Sequence, residues 1–307
     1  MIQERFDVLV VGAGPAGLNA ALVLGRMRRR ILVLDTDAPA HAVSEEVHGF
    51  LSQDGTPPGD LRRLGREQLL AYTTVELRTV AARSVRRLPG GGFELDLEDG
   101  GLVAGHRLVL AHGMHYGLPN LAGVAKLWGT RVFHCPYCHG WEVRDRPLAV
   151  HGSGERAVHQ ALLLASLSDD VVLLAGAGAA LSADELGRLD AAGIEVRGDE
   201  VERVEEHEGG MQIVFRGGPS LTRDALFIQP QLSLASDLAA SLGADITEAG
   251  TVSVDPTGQS SIPGLYAAGD AAAAVQSVAV AAGSGARAAY ALNAELALDP
   301  AQDPGGR

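Results

Sequence analysis

A glycine-rich turn lies directly after the first apolar run of the chain. The run occupies residues 6–11, and the turn that follows is Gly12-Ala13-Gly14-Pro15-Ala16-Gly17. A continuous apolar run is typical of a parallel strand buried on both faces, and G-x-G-x-x-G at a strand-to-helix junction is typical of a turn that binds a pyrophosphate. Gly12 permits the tight turn, Gly14 lets the backbone approach the phosphates, and Gly17 lets the helix pack against the strand. The sequence therefore predicts a dinucleotide-binding β-α unit.

An acidic residue follows this unit at the position where a ribose contact is expected. Residues 30–34 form a second apolar strand that ends on Asp35, which lies 18 residues after Gly17. A carboxylate at about this distance hydrogen-bonds the hydroxyls of an adenosine ribose. The strand, the glycine turn and the acid together indicate a dinucleotide site at the N-terminal end of the chain.

A second strand–glycine–helix unit begins at residue 147. Its strand leads into Gly152-Ser153-Gly154-Glu155-Arg156-Ala157, and its next strand ends in Ala175-Gly176-Ala177-Gly178. Neither an acid for a ribose 2′-hydroxyl nor an arginine for a 2′-phosphate follows that strand. We expect a second Rossmann-like unit whose ability to bind a nicotinamide nucleotide is doubtful.

Both cysteines of the chain lie between the two units, in Phe133-His134-Cys135-Pro136-Tyr137-Cys138-His139-Gly140. The C-x-x-C spacing lets the two sulfurs meet, so that one thiol can attack a substrate sulfur while the other resolves the mixed disulfide. Zinc is an alternative, but structural zinc takes four ligands from two separated clusters, and the remaining histidines are scattered singly. An inert buried pair is the third possibility. The spacing favours a redox pair and no metal.

Two histidines flank the cysteine pair. His139 follows Cys138 and His134 precedes Cys135. Imidazole titrates near neutral pH, so either ring could take or return a proton during thiol chemistry. Each could equally be a solvated loop residue.

Length and charge limit the classes of protein that this chain can belong to. A chain of 307 residues suits two domains, and its formal net charge of −13 argues against nucleic acid and anionic membrane as partners. No segment approaches the roughly 20 apolar residues of a membrane span, and the first strand begins too close to Met1 for a signal peptide. We expect a cytoplasmic protein, in which a lone C-x-x-C is typical of catalysis.

Three further patterns complete the outline of the chain. The alternating runs at residues 75–78 and 93–97 are separated by a Pro-Gly-Gly-Gly turn and are interpreted as a small antiparallel ribbon. A buried strand at residues 108–111 ends in a glycine turn at Gly113. Near the C-terminus, Tyr266-Ala267-Ala268-Gly269-Asp270 closes a strand, and an Ala/Val-rich helix is predicted over residues 276–298.

The order of these motifs resembles the low-molecular-weight thioredoxin reductase family of flavoproteins. The resemblance covers essentially the whole chain and implies an α/β fold with two Rossmann-like, three-layer ββα nucleotide-binding domains. Residues 1–116 and 244–307 would form a discontinuous FAD domain, and residues 117–243 an inserted NAD(P)-binding-like domain that carries the cysteine pair at its start. The family also implies a homodimer.

The resemblance assigns roles to individual residues. The glycine turn and Asp35 would hold the ADP half of FAD, Asp270 the ribityl or phosphate region, and Gln276 with Ser277 would open the helix that meets the flavin. Cys138 would face the flavin, and Cys135 would be the exchange thiol. The full set expected to bind the cofactor is Gly12, Gly14, Pro15, Ala16, Gly17, Asp35, His48, Gly113, Gly269, Asp270, Gln276 and Ser277.

Two departures from the reductases favour one branch of the family. His139 stands where the reductases usually carry an aspartate, and Ala175-Gly176-Ala177 stands where they carry an arginine-containing motif. Residues 135–142, Cys-Pro-Tyr-Cys-His-Gly-Trp-Glu, are similar instead to the FAD dithiol oxidases of holomycin and gliotoxin biosynthesis. The resemblance therefore implies a dithiol oxidase that acts on a natural-product-like small molecule and passes electrons to oxygen.

Two alternatives stay open on the sequence. A disulfide reductase fed by NAD(P)H or another donor, with a thioredoxin-like protein as partner, uses the same motifs. A non-catalytic flavin-binding redox regulator is the alternative outside enzymes, although it would not need a C-x-x-C beside a complete glycine fingerprint.

Overall fold

The computed structural model describes residues 4–178 and 180–298, except for the side chain of His41. Backbone contacts divide the chain into two compact units. The first unit contains Met1–Ala42, Gly49–His115 and Leu232–Arg307, and the second contains Val43–His48 and Tyr116–Gln231. The chain thus returns to the first unit at Leu232, ahead of the domain boundary expected at residue 244.

Strands and helices alternate along most of the chain and are numbered here in chain order. The strands are β1 (Glu4–Val11), β2 (Ile31–Asp35), β3 (Val75–Thr79), β4 (Ala82–Arg87), β5 (Phe93–Leu97), β6 (Leu102–Leu110), β7 (Met114–Gly117), β8 (Val132–Phe133), β9 (Leu148–His151), β10 (Val171–Leu174), β11 (Glu195–Arg197), β12 (Val201–His207), β13 (Gly210–Phe215), β14 (Leu221–Arg223), β15 (Ala225–Ile228), β16 (Gln231–Leu234) and β17 (Leu265–Ala267). The helices are α1 (Pro15–Arg26), α2 (Pro58–Leu69), α3 (Val124–Leu127), α4 (Pro136–His139), α5 (Glu155–Leu164), α6 (Ala183–Ala191), α7 (Leu238–Ser241) and α8 (Val278–Leu298).

The first unit is built on a parallel sheet in the order β3-β2-β1-β6-β17. The middle strands are buried on both faces, as their uninterrupted apolar sequences predict. The first half of β6 pairs instead with β5, which forms an antiparallel hairpin with β4. Helices α1 and α8 pack together on one face of the sheet, where Val8, Ala20 and Leu292 are fully buried.

The pairing of the predicted ribbon is wrong. Residues 75–79 do not pair with residues 93–97; they form β3, which adds to the parallel sheet beside β2. The antiparallel partner of β5 is β4, at residues 82–87. Alternation of apolar and polar residues reports that a strand has one solvated face, and it does not identify the neighbouring strand.

The second unit contains a five-stranded parallel sheet in the order β11-β10-β9-β15-β8. Helix α5 packs on the sheet through Ala157, Val158 and Ala161, all fully buried. On the other face, a three-stranded antiparallel sheet of β12, β13 and β14 contributes Met211 and Ile213 to a second core. Strands β7 and β16, in which the chain passes between units, pair with each other. Both units are therefore α/β, and each has its own core.

No helix in the described part of the chain is both long enough and apolar enough to cross a membrane.

Candidate active site and cofactor site

The glycine turn of the first unit connects β1 to α1 as the sequence predicts. Gly12 has φ +103°, and a Cβ at this position would lie 2.3 Å from the carbonyl oxygen of Ala111. A Cβ at Gly17 would lie 1.8 Å from the carbonyl oxygen of Gly12. A Cβ at Gly14, in contrast, would meet no protein atom within 4 Å. Gly12 and Gly17 are therefore needed for packing, whereas Gly14 leaves open space beside the helix N-terminus.

Asp35 lies at the end of β2 and is held from two sides. Its Oδ1 accepts a hydrogen bond of 3.2 Å from the backbone N–H of Ala13, inside the glycine turn. Its Oδ2 accepts hydrogen bonds from the guanidinium groups of Arg62, at 2.7 Å, and Arg66. The same two arginines contact Asp37. Asp35 thus fastens the turn to α2 and retains lone pairs for a ribose hydroxyl.

The two arginines were not identified from the sequence. Arg62 is a buried charged side chain, with 8% of its surface exposed, and it lines the cavity described next. The signal that could have found them is the i, i+4 spacing of Arg62 and Arg66, which places both side chains on one face of α2. Two arginines one helical turn apart, on the helix that follows a strand ending in an acidic residue, are candidate ion-pair partners of that residue.

A cavity of about 390 Å³ opens at the glycine turn of the first unit. Volumes of this order are typical of ligand sites. Eight of the predicted cofactor residues line the cavity: Gly12, Gly14, Pro15, Ala16, Asp35, Gly113, Gly269 and Asp270. The structure therefore brings together residues that are separated by more than 250 positions in the sequence.

Four predicted cofactor residues do not line this cavity among the described residues: Gly17, His48, Gln276 and Ser277. Gly17 is buried in the contact between β1 and α1. The last helix begins at Val278, two residues later than predicted, and the Ser277 hydroxyl accepts a 3.1 Å hydrogen bond from Val280 N–H. Ser277 is thus the cap of α8, and its contact with a flavin stays a prediction.

Asp270 is a second acidic group in the cavity, besides Asp35. Burial raises the pKa of its carboxyl group to about 6. It lies in a short 3₁₀ helix, Gly269–Ala271, which is anchored where Gly269 N–H donates to Ser284 Oγ at 2.8 Å. A partly protonated carboxyl group can donate as well as accept a hydrogen bond, which suits a contact with a hydroxyl chain or a phosphate.

The cysteine pair forms a disulfide at the start of α4. Cys135 and Cys138 are bonded, with their Cα atoms 5.3 Å apart. Cys135 precedes the helix, and its Sγ accepts a 3.1 Å hydrogen bond from Cys138 N–H. Pro136, at the first helical position, has no N–H to satisfy. Because an N–H group directed at sulfur favours the thiolate, the reduced form of Cys135 would be stabilised as an anion.

His139 is a half-buried neutral base next to the disulfide. Its ring stacks on Phe133, with the ring centroids 4.5 Å apart, and neither ring nitrogen has a hydrogen-bond partner in the described part of the chain. Burial, and secondarily the charge of His48, lowers the pKa of His139 to about 4. An unprotonated imidazole with a free lone pair can accept a proton from a thiol.

His134 lies on the other side of the cysteine pair in an aromatic environment. Its ring stacks on Trp128 at 5.6 Å and tilts against Tyr116 at 4.9 Å. Burial, with a smaller contribution from His139, lowers its pKa to about 4. Its backbone carbonyl accepts a 2.7 Å hydrogen bond from Gln160. These contacts show that the His134 ring packs among aromatic side chains. The sequence alone does not distinguish this packing role from a role in proton transfer.

His48 belongs to the second unit, where it contacts two carboxylates. Its Nε2 lies 3.4 Å from Glu46 and 3.5 Å from Glu142, which follows the cysteine pair by four residues. Because its charge acts on His139, it is part of the electrostatic environment of the cysteine segment. Its expected contact with the cofactor stays a prediction.

No cluster of three or more histidine, cysteine, aspartate or glutamate side chains suited to a metal ion occurs within residues 4–178 and 180–298. The two thiolates that a zinc site would need are bonded to each other.

The helix after the second glycine turn begins with an ion pair that the sequence does not reveal. Glu155, the first residue of α5, accepts hydrogen bonds of 3.1 and 2.7 Å from Arg188 of α6. This pairing lowers the pKa of Glu155. The carboxylate adds negative charge in the first turn of the helix, where a pyrophosphate would bind, while the space beside Gly154 is open. After β10, Ala175 and Gly176 supply no polar side chain.

Residues 6–285 match the pyridine nucleotide-disulphide oxidoreductase family, and the chain belongs to this family. It is therefore an oxidoreductase of the thiol/disulfide type, with the predicted two-domain α/β fold of thioredoxin reductases. The family's cofactor is FAD, and the first glycine turn fits it, because the free space at Gly14 and the absence of an acid in the first turn of α1 leave room for a phosphate.

Individual relatives agree with this classification. The chain is 30% identical to thioredoxin reductase sirT of Leptosphaeria maculans, over 94% of this chain and 93% of the relative, and 29% identical to thioredoxin reductase aclD of Aspergillus oryzae, over 97% and 99%. Among solved structures, the crystal structure of HlmI superposes with a TM-score of 0.91 at 36% identity, over 97% of this chain and 94% of that chain. The predicted resemblance to the thioredoxin reductase-like flavoproteins is confirmed.

Proposed function

We propose that this protein is an FAD-dependent dithiol oxidase that closes a disulfide in a small-molecule dithiol, with oxygen as the final electron acceptor. The observation that carries the direction of the reaction is the second glycine turn. Its helix opens with the acidic Glu155, whose carboxylate is bonded to Arg188, and no selector for a nicotinamide ribose follows β10. Electrons therefore enter from the dithiol and not from NAD(P)H.

The chain's own residues account for the exchange steps. One substrate thiolate attacks Cys135, the Cys135–Cys138 bond breaks, and Cys138 leaves as a thiolate. The second substrate thiolate attacks the substrate sulfur of the mixed disulfide, so that the cyclic disulfide forms and Cys135 leaves as a thiolate. The substrate loses two electrons and two protons, and the cysteine pair gains two electrons. FAD held at the turn of Gly14 and at Asp35 would supply the acceptor for these two electrons, and oxygen would be the final acceptor, with hydrogen peroxide as the product.

His139 is the base in this proposal. Burial keeps its imidazole neutral at pH 7, because its pKa lies near 4 while the cysteines are oxidised. Formation of a thiolate at the adjacent Cys138 places a negative charge near the ring and raises that pKa. The ring can then hold a proton that a substrate thiol releases, and it returns the proton when the cysteine pair is reoxidised.

The test is an anaerobic titration of the purified flavoprotein with a dithiol, NADPH and NADH. The dithiol should bleach the flavin, and each nicotinamide should do so at least roughly 100-fold more slowly, a separation of several kcal/mol in activation free energy. Admission of oxygen should restore the colour and release hydrogen peroxide. Rapid saturable bleaching by NADPH would sink the oxidase and favour the reductase.

The cysteine variants test the exchange steps separately. Cys135→Ser and Cys138→Ser should both abolish dithiol turnover with FAD still bound. If Cys138 is the flavin-side thiol, only Cys135→Ser should add a long-wavelength absorption band. His139→Gln should slow turnover and shift its pH profile. Near-normal turnover by either cysteine variant would contradict the exchange sequence.

We further infer a cytoplasmic homodimer whose partner is a small molecule, with a thioredoxin-like protein as the alternative thiol partner. The net charge of −13 supports a protein that avoids nucleic acid and anionic membranes. Light scattering on the purified protein measures the oligomeric state, and reduction assays with a thioredoxin-like protein test the alternative partner.

A further inference from the structure

Two large aromatic side chains are exposed next to the disulfide. Tyr137, between the two cysteines, is 80% exposed, and Trp141, three residues after Cys138, is 65% exposed. Elsewhere in the described residues, only Tyr290 is an exposed aromatic side chain of this size, and it belongs to the first unit. Exposed aromatic surface is therefore concentrated at the redox segment.

The backbone places the two rings about one helical turn apart. Tyr137 lies in α4, and Gly140 keeps right-handed helical angles of φ −71° and ψ −31°. Residues four apart on a helix lie on the same side. The two side chains therefore lie on one side of this turn, and Tyr137 stands in the sequence between the two residues that carry the sulfurs.

Arg144 restrains Trp141. Its guanidinium lies 3.9 Å from the indole ring centroid and donates a 2.7 Å hydrogen bond to the Trp141 carbonyl oxygen. Because the cation already holds the ring in place, the ring loses less side-chain entropy when a ligand stacks on it than an unrestrained ring would lose. The exposed neighbours alternate in sign, Glu142 and Asp145 against Arg144 and Arg146, so that the surface carries no net charge.

We propose that Tyr137 and Trp141 form a stacking platform that selects dithiols carried on an uncharged aromatic ring. This proposal rests on the proposed dithiol oxidase function and specifies its substrate class. Tyr137 lies within the four-residue segment that the disulfide closes, so a ring stacked on it would stay within reach of that disulfide. A protein partner is disfavoured, because two side chains offer a small fraction of the roughly 800 Å² that each partner buries in a stable protein complex.

The test compares two probes that both close to a six-membered cyclic disulfide, 1,2-bis(mercaptomethyl)benzene and dithiothreitol. Wild type should have the higher kcat/KM for the aromatic probe. Tyr137→Ser and Trp141→Ser should each lower the ratio of this kcat/KM to the value for dithiothreitol on the same variant by roughly 2- to 10-fold, the range for one aromatic contact. Tyr290→Ser is the matched control, because it removes an aromatic ring that is also 65% exposed but lies in the other unit.

A binding measurement separates the platform from the oxidase. Calorimetric titration with the cyclic disulfide of each probe needs no turnover, and the aromatic disulfide should bind wild type more tightly than either platform variant. If the aromatic disulfide binds in this way but neither dithiol is turned over, the oxidase hypothesis is contradicted and the platform hypothesis is supported. Equal losses for both probes, or no preference of wild type for the aromatic one, would overturn the platform while the oxidase stands.

Discussion

The two glycine turns of this chain have the same local fold and opposite electrostatics. In the first, α1 opens with Pro15 and no acidic residue, and the space beside Gly14 is open. In the second, α5 opens with Glu155, which Arg188 holds by two hydrogen bonds. The space beside Gly154, like the space beside Gly14, is open, so the two turns differ in charge and not in room for a phosphate. The comparison shows that a strand–turn–helix unit favours an anion most when no carboxylate lies in the first turn of its helix.

The largest expected effect is the loss of cofactor on blocking the first turn. Gly14→Val should weaken FAD binding by at least about 100-fold and leave the fold intact, because a Cβ at this position meets no protein atom within 4 Å and the side chain would occupy the space for the phosphates. Flavin content and far-ultraviolet circular dichroism measure the two effects. The matched control is Ser153→Val, at an exposed position of the second turn, which should leave flavin content unchanged. If Gly14→Val retains its full flavin content, the space beside Gly14 does not hold the phosphates of FAD.

The acid after β2 should matter for stability as well as for the cofactor. Asp35→Ala leaves the buried Arg62 without its closest partner, and removal of one member of a buried pair costs about 3 kcal/mol. Urea unfolding of the apoprotein and FAD titration should both show the loss. Asp37→Ala is the control, since the carboxylate of this partner of the same arginines is 56% exposed and its removal should cost much less than removal of Asp35. Similar losses in both variants would show that Asp35 has no special role.

Acid should destabilise the second unit before the first. Burial lowers the pKa of His134 and His139 to about 4, and also lowers that of His151. Between pH 6.5 and 4 the unfolded chain therefore binds more protons than the folded unit, so that stability falls as pH falls. In the first unit the lowered pKa of His112 also reduces stability as pH falls. The raised pKa of Asp270 has the opposite effect, because the folded carboxyl group takes up its proton at a higher pH than the unfolded one and so stabilises the folded state over this range.

Two spectroscopic signals distinguish the units in this pH experiment. Both tryptophans, Trp128 and Trp141, lie in the second unit, whereas the residues proposed to hold the flavin, such as Gly14 and Asp35, lie in the first. The urea midpoint followed by tryptophan emission should fall on going from pH 7 to pH 5 by more than the midpoint followed by flavin release. His139→Gln should reduce the pH dependence of the tryptophan signal. Coincident shifts of both midpoints would contradict an independent response of the second unit.

The smallest expected effect concerns the ion pair itself. Glu155→Ser removes a carboxylate from the first turn of α5 and should strengthen the binding of ADP to the second unit by roughly 2- to 5-fold, the value of one charge at a helix terminus. Calorimetry on the FAD-saturated protein measures it. Arg188→Gln leaves Glu155 in place without its partner and should weaken the same binding. If neither variant changes the affinity for ADP, the weak nucleotide binding of the second unit is due to the missing selectors after β10 and not to the ion pair.

The sequence by itself determined the features that depend on short segments. A strand followed by G-x-G-x-x-G allows few backbone geometries, so Gly12, Gly14 and the end of β2 at Asp35 were found without a structure. The C-x-x-C spacing likewise limits Cys135 and Cys138 to one short loop, where they form the disulfide. These constraints act between residues close in the chain and are visible in any local window.

Only the tertiary structure decided which distant residues meet. Arg62 contacts Asp35 because α2 packs beside the end of β2, and β3 joins the parallel sheet although its alternating sequence equally suits a hairpin. The pairing of Glu155 with Arg188 joins residues 33 positions apart, and no local pattern indicates it. Charge and hydrophobicity along a segment determine what kind of partner the segment needs. Which residue becomes that partner depends on how the helices and strands pack, and the packing depends on the whole chain.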